Sequence, residues 1–167
     1  MHPLAGAELP TPAALRRALG RYATGVAIVS CRDAVGVPLG LTVNSFAALS
    51  LEPPLVLWSL RRASALLPAF EAATHWAVNV LAVEHLPLAR RFASPEPDKF
   101  ADGDWLDGRH GAPVLPDALA VFECAAETVH DGGDHRLLIG RVLSLQLADG
   151  APLTYQASHY HALGGTL

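Results

Sequence analysis

Four stretches of the 167-residue chain hold the residue types from which a binding site could be built. Gly40-Leu-Thr-Val-Asn-Ser-Phe-Ala-Ala-Leu-Ser50 is dense in small hydroxyl and amide side chains beside a strand-like run. Ser59 and Ser64 follow it, one at the end of an apolar run and one in the next turn. Arg90-Arg91-Phe92 and Gly133-Asp134-His135 add cations, an aromatic ring and an imidazole. By residue type alone the first stretch reads as a polar turn at a strand end. Ser64 reads as a helix cap, and His135 as a residue flanking a turn. Asn79 sits inside an apolar run, where a buried amide must find partners. It is either a structural hydrogen-bonding residue or a cofactor contact. No stretch contains a Gly-x-Gly-x-x-Gly turn, a phosphate loop ending in Gly-Lys-Ser or Gly-Lys-Thr, or a His-Glu-x-x-His pair. The Gly-x-Ser-x-Gly elbow of hydrolases is also absent. His159 and His161, two apart, share a face if they lie on a strand. With no further ligand nearby they read as an exposed pair, and no metal site is expected.

The elements that must position these groups are mostly strands. Thr11-Pro12 can cap and open a helix with Leu15, Leu19 and Tyr22 on one face and a stop at Gly25. Val26–Cys31 is a β-branched run. Asp33–Pro38 is turn chemistry, and Leu39–Val43 returns as a hairpin partner. Leu55–Leu60 and the run from Trp76 to Val83 are further strands. Short helices are expected from Ser64 to Phe70 and from Glu84 to Phe92. Leu119–Val129 and His135–Leu147 form two long strands about Asp131-Gly-Gly-Asp134, as a hairpin or a wider turn. Strands and helices do not alternate regularly, so a doubly wound sheet is excluded. A small β-barrel with helices packed outside is the physical reading.

Composition bounds the rest. The length fits one domain over 1–167, with a core about 14–163; the Pro/Asp/Gly-rich 94–116 is a surface excursion. Twelve Lys+Arg against sixteen Asp+Glu give −4, which is not the basic excess of a nucleic-acid binder. No apolar run is long enough for a membrane span. Cys31 and Cys124 are expected as small buried hydrophobes, and Trp58 and Trp76 as core or interface residues. With no leader-like N-terminal segment, a cytoplasmic location is expected. Only 17% of residues are charged, so part of the surface is expected to be covered by another subunit or a ligand.

Thr42-x-Asn-Ser-Phe46, Pro53-Pro-Leu-Val-Leu-Trp-Ser-Leu60, Trp76-Ala-Val-Asn-Val-Leu81, Leu88-Ala-Arg-Arg-Phe92 and Gly133-Asp-His135 before Leu138-Ile-Gly-Arg-Val142 occur in this order. The ordered set resembles the flavin reductase-like family of short-chain NAD(P)H:flavin oxidoreductases, over roughly 14–163. These proteins serve as reductase components of two-component flavin monooxygenases. The resemblance implies a mainly β fold, a split β-barrel of the FMN-binding type, assembled as a homodimer. It implies reduction of free FMN or FAD by NADH or NADPH, with hydride transfer to flavin N5 and reduced flavin passing to a separate monooxygenase. A non-enzymatic FMN-binding or electron-transfer protein on the same barrel is the alternative. By the same resemblance Thr42, Val43, Asn44, Ser45, Phe46 and Ala47 line the flavin, largely through backbone groups. Ser59 and Ser64 approach its ribityl chain and phosphate. Arg91 and Phe92 reach toward phosphate or adenine. Gly133, Asp134, His135 and Tyr160 belong to the nicotinamide side. His161 stands where the family often has a basic residue. No acid–base catalytic residue is expected, because the cofactors carry hydride chemistry.

Overall fold

The computed structural model describes residues 9–166. Its elements are α1 (Pro12–Leu19), β1 (Thr24–Gly25), β2 (Ala27–Arg32), β3 (Pro38–Val43), β4 (Ala47–Ser50) and β5 (Leu55–Arg61), then α2 (Leu67–Ala72) and β6 (His75–Val80). A 3-10 turn at Val83–His85 leads into α3 (Leu86–Ala93), followed by β7 (Leu106–Asp107), β8 (Pro113–Val114), β9 (Ala120–Gly132), β10 (His135–Leu147), β11 (Leu153–Gln156) and β12 (His159–Ala162). Thr11 caps α1, its hydroxyl accepting the Ala14 N–H at 3.2 Å, with Pro12 opening the helix. The helix stops at Gly20, five residues before the expected glycine, and Leu15, Leu19 and Tyr22 are exposed.

Seven antiparallel strands form the main sheet in the order β3-β2-β6-β9-β10-β5-β4. Its two edge strands, β3 and β4, are neighbours in the chain, joined only by Asn44, Ser45 and Phe46. A flat sheet of seven strands would hold its edges about 29 Å apart. The four Cα steps from Val43 to Ala47 reach only about 14 Å. The sheet must therefore roll up, and it forms the mainly β split barrel. Ser45 braces the two sides of the split. Its hydroxyl donates to the Ser59 carbonyl at 3.1 Å and accepts the Ser59 N–H at 3.0 Å.

The central strands β2 and β6 are buried on both faces, which explains their unbroken apolar runs. Alternate residues go to separate cores. Val29, Cys31, Trp76 and Val78 join Trp58, Phe70, Cys124 and Leu138 on one side. Ile28, Ala77 and Leu81 join Phe92, Leu115, Val121 and Leu153 on the other. In the first core, Trp58 meets Phe70 and Trp76 edge-on at centroid distances of 4.9 and 6.0 Å. Trp76 needs a glycine opposite: a Cβ on Gly140 would overlap its ring. Burial pushes the Cys31 and Cys124 thiols up to about 12, as inert core groups.

The second core carries two polar residues, Ser30 and Asn79, and both are satisfied. The Asn79 amide donates to the Ile28 carbonyl (3.1 Å) and Ser30 Oγ (3.2 Å), and its oxygen accepts the Leu115 N–H (2.8 Å). Ser30 Oγ donates to the Pro113 carbonyl at 2.5 Å. These bonds draw the end of the 94–116 stretch inward. Ala112, Val114 and Leu115 are buried, so the surface excursion reaches only to Gly111. The physical reason is that the run Ala112–Leu115 is apolar and its backbone finds partners in Ser30 and Asn79. Trp105 in that excursion packs on Phe92 and Phe100.

Candidate functional site

The split in the barrel opens into a cleft of about 540 Å³ walled by Leu41 to Ser45, Ser59 to Arg61, Ala63, Ser64 and His135. A smaller cavity of about 170 Å³ shares Thr42, Val43 and Asn44 with it and is closed by Val26, Ala93, Tyr155 and Tyr160. The end of β3 is thus a wall common to both. The larger volume falls within the range of small-molecule and cofactor sites.

Seven of the expected residues come together here: Thr42, Val43, Asn44, Ser45, Ser59, Ser64 and His135. Tyr160 lies across the shared wall. The Thr42 hydroxyl donates to the Ala89 carbonyl at 2.7 Å and fixes β3 to α3. With Ser45 braced against Ser59, two of the expected hydroxyls are engaged within the protein. The backbone of Asn44, Ser45 and Phe46 is different. Among the described residues these three make no backbone–backbone hydrogen bond, and Asn44 and Ser45 line the cleft, so their backbone donors and acceptors stand open on its wall. Ser64 shapes the turn before α2, accepting the Leu66 N–H at 3.3 Å, and does not cap the helix directly as expected.

The remaining expectations divide. Phe46 is half-buried and packs on Phe122 at 5.4 Å. Ala47 opens β4, opposite Leu57 and outside both cavities. Phe92 is 1% exposed and belongs to the second core, its ring against Gly40, Phe100 and Trp105. Arg91 is turned to the excursion, paired with Asp102 and Glu96 and donating to the Asp98 carbonyl at 3.1 Å. Phe92 and Arg91 therefore line neither cavity: the apolar ring is drawn into the core and the guanidinium to local carboxylates. Gly133 and Asp134 form the two-residue turn between β9 and β10, with Gly133 at φ 70°. That turn is tight, and β9 continues to Gly132, beyond its expected end at Val129.

Two contributions were not foreseen. Arg61 lines the cleft, and among the described residues no carboxylate forms an ion pair with it. Its spacing of two from Ser59 on one strand was the available signal. Tyr155 meets Tyr160 across the β11–β12 hairpin, centroids 5.2 Å apart. Burial, then the neighbouring Tyr155, holds the Tyr160 phenol above its ordinary value, against an opposing pull from Arg90. Tyr160 is therefore a neutral hydrogen-bonding group at physiological pH. The His135 ring bonds the Asp134 carboxylate at 2.7 Å, which keeps that carboxyl below its ordinary range.

A planar heteroaromatic with carbonyl and ring-nitrogen edges fits the open backbone row at 44–46. A phosphate fits the Ser59 and Ser64 hydroxyls with Arg61. The fold and the cleft define a split barrel whose cleft fits a phosphorylated, planar cofactor. The chain belongs to the flavin reductase like domain family, whose family model matches residues 19–164. It is 44% identical over 145 residues to the FMN reductase (NADH) SmoA of Agrobacterium fabrum, covering 87% of this chain and 82% of that protein. It is also 44% identical over 155 residues to HsaB of Rhodococcus jostii, the reductase subunit of a flavin-dependent monooxygenase, covering 92% and 79%. Among solved structures, the NADH:FAD oxidoreductase SgcE6 of Streptomyces globisporus, in complex with NAD and FAD fragments, superposes with a TM-score of 0.87 at 32% identity. That match covers 95% of this chain and 98% of that one.

Proposed function

We propose that this protein is an NAD(P)H:flavin oxidoreductase that reduces FMN or FAD and releases the product to a separate monooxygenase component. The observation that carries the reading is the open backbone of Asn44 and Ser45 in one cleft with His135. When bound, the flavin supplies the hydride acceptor and the nicotinamide the donor. The chain's own residues bind and orient. Backbone groups of 44–46 hold the heteroaromatic edge, and their N–H groups favour negative charge developing there. Ser59, Ser64 and Arg61 hold the phosphate. Gly133, Asp134 and His135 at the cleft mouth receive the nicotinamide side, with Tyr160 beyond the shared wall. No side chain is asked to move a proton.

SmoA and SgcE6 both have NADH in their names and differ in flavin. NADH is therefore the favoured donor, and FMN is favoured because the cleft's donors gather at one phosphate. Leu143, Leu145 and Leu147 alternate along β10 and are exposed, which supports a homodimer through that face. Among the described residues no helix is long and apolar enough to cross a membrane. A cytoplasmic setting suits two reduced, buried thiols.

Steady-state kinetics across the four nicotinamide–flavin pairs test this reading. Catalytic loss of NADH with excess FMN is expected. Stoichiometric flavin that survives gel filtration without turnover would instead favour a binding or electron-transfer protein.

A further inference from the structure

Arg61 is the last residue of β5 and Arg62 the first of the turn beyond it, and their side chains go different ways. Arg61 lines the cleft. Arg62 reaches instead to the β9–β10 turn. Its backbone N–H donates to the Asp134 carbonyl at 2.9 Å, and its Nε–H donates to the Gly133 carbonyl at 2.9 Å. Its terminal nitrogen pairs with Asp131, on the strand entering the turn. Asp131 is pulled below its ordinary range by Arg136 first and Arg62 second. Arg136 in turn donates to Glu71 of α2 at 2.7 Å. One guanidinium thus grips the near side of the turn while the chain from Glu71 through Arg136 to Asp131 anchors the far side.

Exposed ion pairs contribute little to stability on their own, so a grip of this kind needs another reason. The ladder between β10 and β5 ends at His135 opposite Arg61. The bonds from Arg62 extend that pairing through both turn residues. His135 is the first residue after the turn and lines the cleft. A tilt of the turn therefore moves its ring relative to the flavin wall.

We propose that Arg62 is a positioning residue: it fixes the Gly133–Asp134–His135 turn so that His135 meets the nicotinamide at the cleft mouth. This rests on the oxidoreductase reading above. A lysine at this position can pair with Asp131 as a point charge, but it lacks the fork that also reaches the Gly133 carbonyl.

The test uses the full chain in four forms: native, Arg62→Ala, Arg62→Lys and His135→Ala. Hydrogen exchange of the amides at 133–136 is measured without any nucleotide, and steady-state kinetics follow with NADH and FMN. Arg62→Ala is expected to raise exchange in the turn at least tenfold. It is expected to raise KM for NADH five- to tenfold, with KM for FMN and the melting temperature unchanged. Arg62→Lys is expected to keep the melting temperature and recover less than half of the NADH effect. Unchanged exchange would overturn the proposal. So would faster exchange with an unchanged KM for NADH, or equal increases in both KM values. If Arg62→Ala does not fold, Arg62→Lys alone decides by the same criteria. If the native protein does not oxidise NADH, the oxidoreductase reading itself has failed and the positioning role falls with it; if it turns over but His135→Ala leaves the KM for NADH unchanged, the positioning proposal alone is overturned. The exchange data then still report whether Arg62 grips the turn.

Discussion

Asn79 and Asn44 are the same residue type in similar sequence settings, each among β-branched and small neighbours, and they do opposite things. Asn79 is fully buried with both ends of its amide engaged, holding β2, β6 and the Pro113–Leu115 run together. Asn44 is exposed at the split, in a segment whose backbone groups find no backbone partner among the described residues. Polar groups that satisfy one another fix the fold. Polar groups left open on a cleft wall are available to a ligand. What separates the two amides here is the state of their hydrogen bonds.

The largest test of that contrast is Asn79→Ala. It orphans the buried Leu115 N–H and leaves a cavity, at an expected cost of about 3 kcal/mol read from the denaturant midpoint. The fraction that still folds should bind FMN normally. A weakened FMN affinity with intact stability would move Asn79 to the cleft and dissolve the contrast. Next in size is Arg61→Ala, which removes a charge from the cleft and no ion pair among the described residues. FMN affinity should fall about tenfold in titration while riboflavin, lacking the phosphate, binds as before.

The closed side can also be probed by pH. The buried thiols of Cys31 and Cys124 are raised from 9.0 to about 12 in the folded state. The unfolded chain therefore loses these protons first, and the thiol contribution to stability, complete below about pH 9, declines as pH rises toward 12. Urea midpoints between pH 8 and 11 should fall, and Cys31→Ala should flatten the decline. The smallest effect belongs to Asn44→Ala. If the backbone makes the contacts, stability stays within about 0.5 kcal/mol, and FMN affinity changes less than threefold. A larger loss would show that the amide side chain itself binds.

Much of this was legible in the sequence. The β2–β3 hairpin, β5, β6 and the long β9–β10 pair follow from β-branched runs and turn residues. The cleft residues follow from the ordered segments between Thr42 and His135. What the sequence hid was the use of each polar group. Thr42 and Ser45 look like ligand hydroxyls, yet their donors go to Ala89 and Ser59, partners 47 and 14 positions away. Arg91 and Phe92 are adjacent on α3, yet the helix sends one to the carboxylates of the excursion and the other to the core. The short β4 and the terminal β11–β12 hairpin were not anticipated, because four-residue strands leave little periodicity to read.

The three-residue tie between β3 and β4 has a consequence for how such a molecule can change. A loop at the rim of most enzymes can lengthen or shorten freely, because its ends are fixed by other elements. Here the tie joins the two edges of the split, and Asn44 and Ser45 within it line the cleft. Adding a residue between Val43 and Ala47 would shift the register of an entire edge and displace the Ser45 brace. The β9–β10 turn, the end of α3 and the β11–β12 hairpin are free of that constraint, because there length is not a condition of closure.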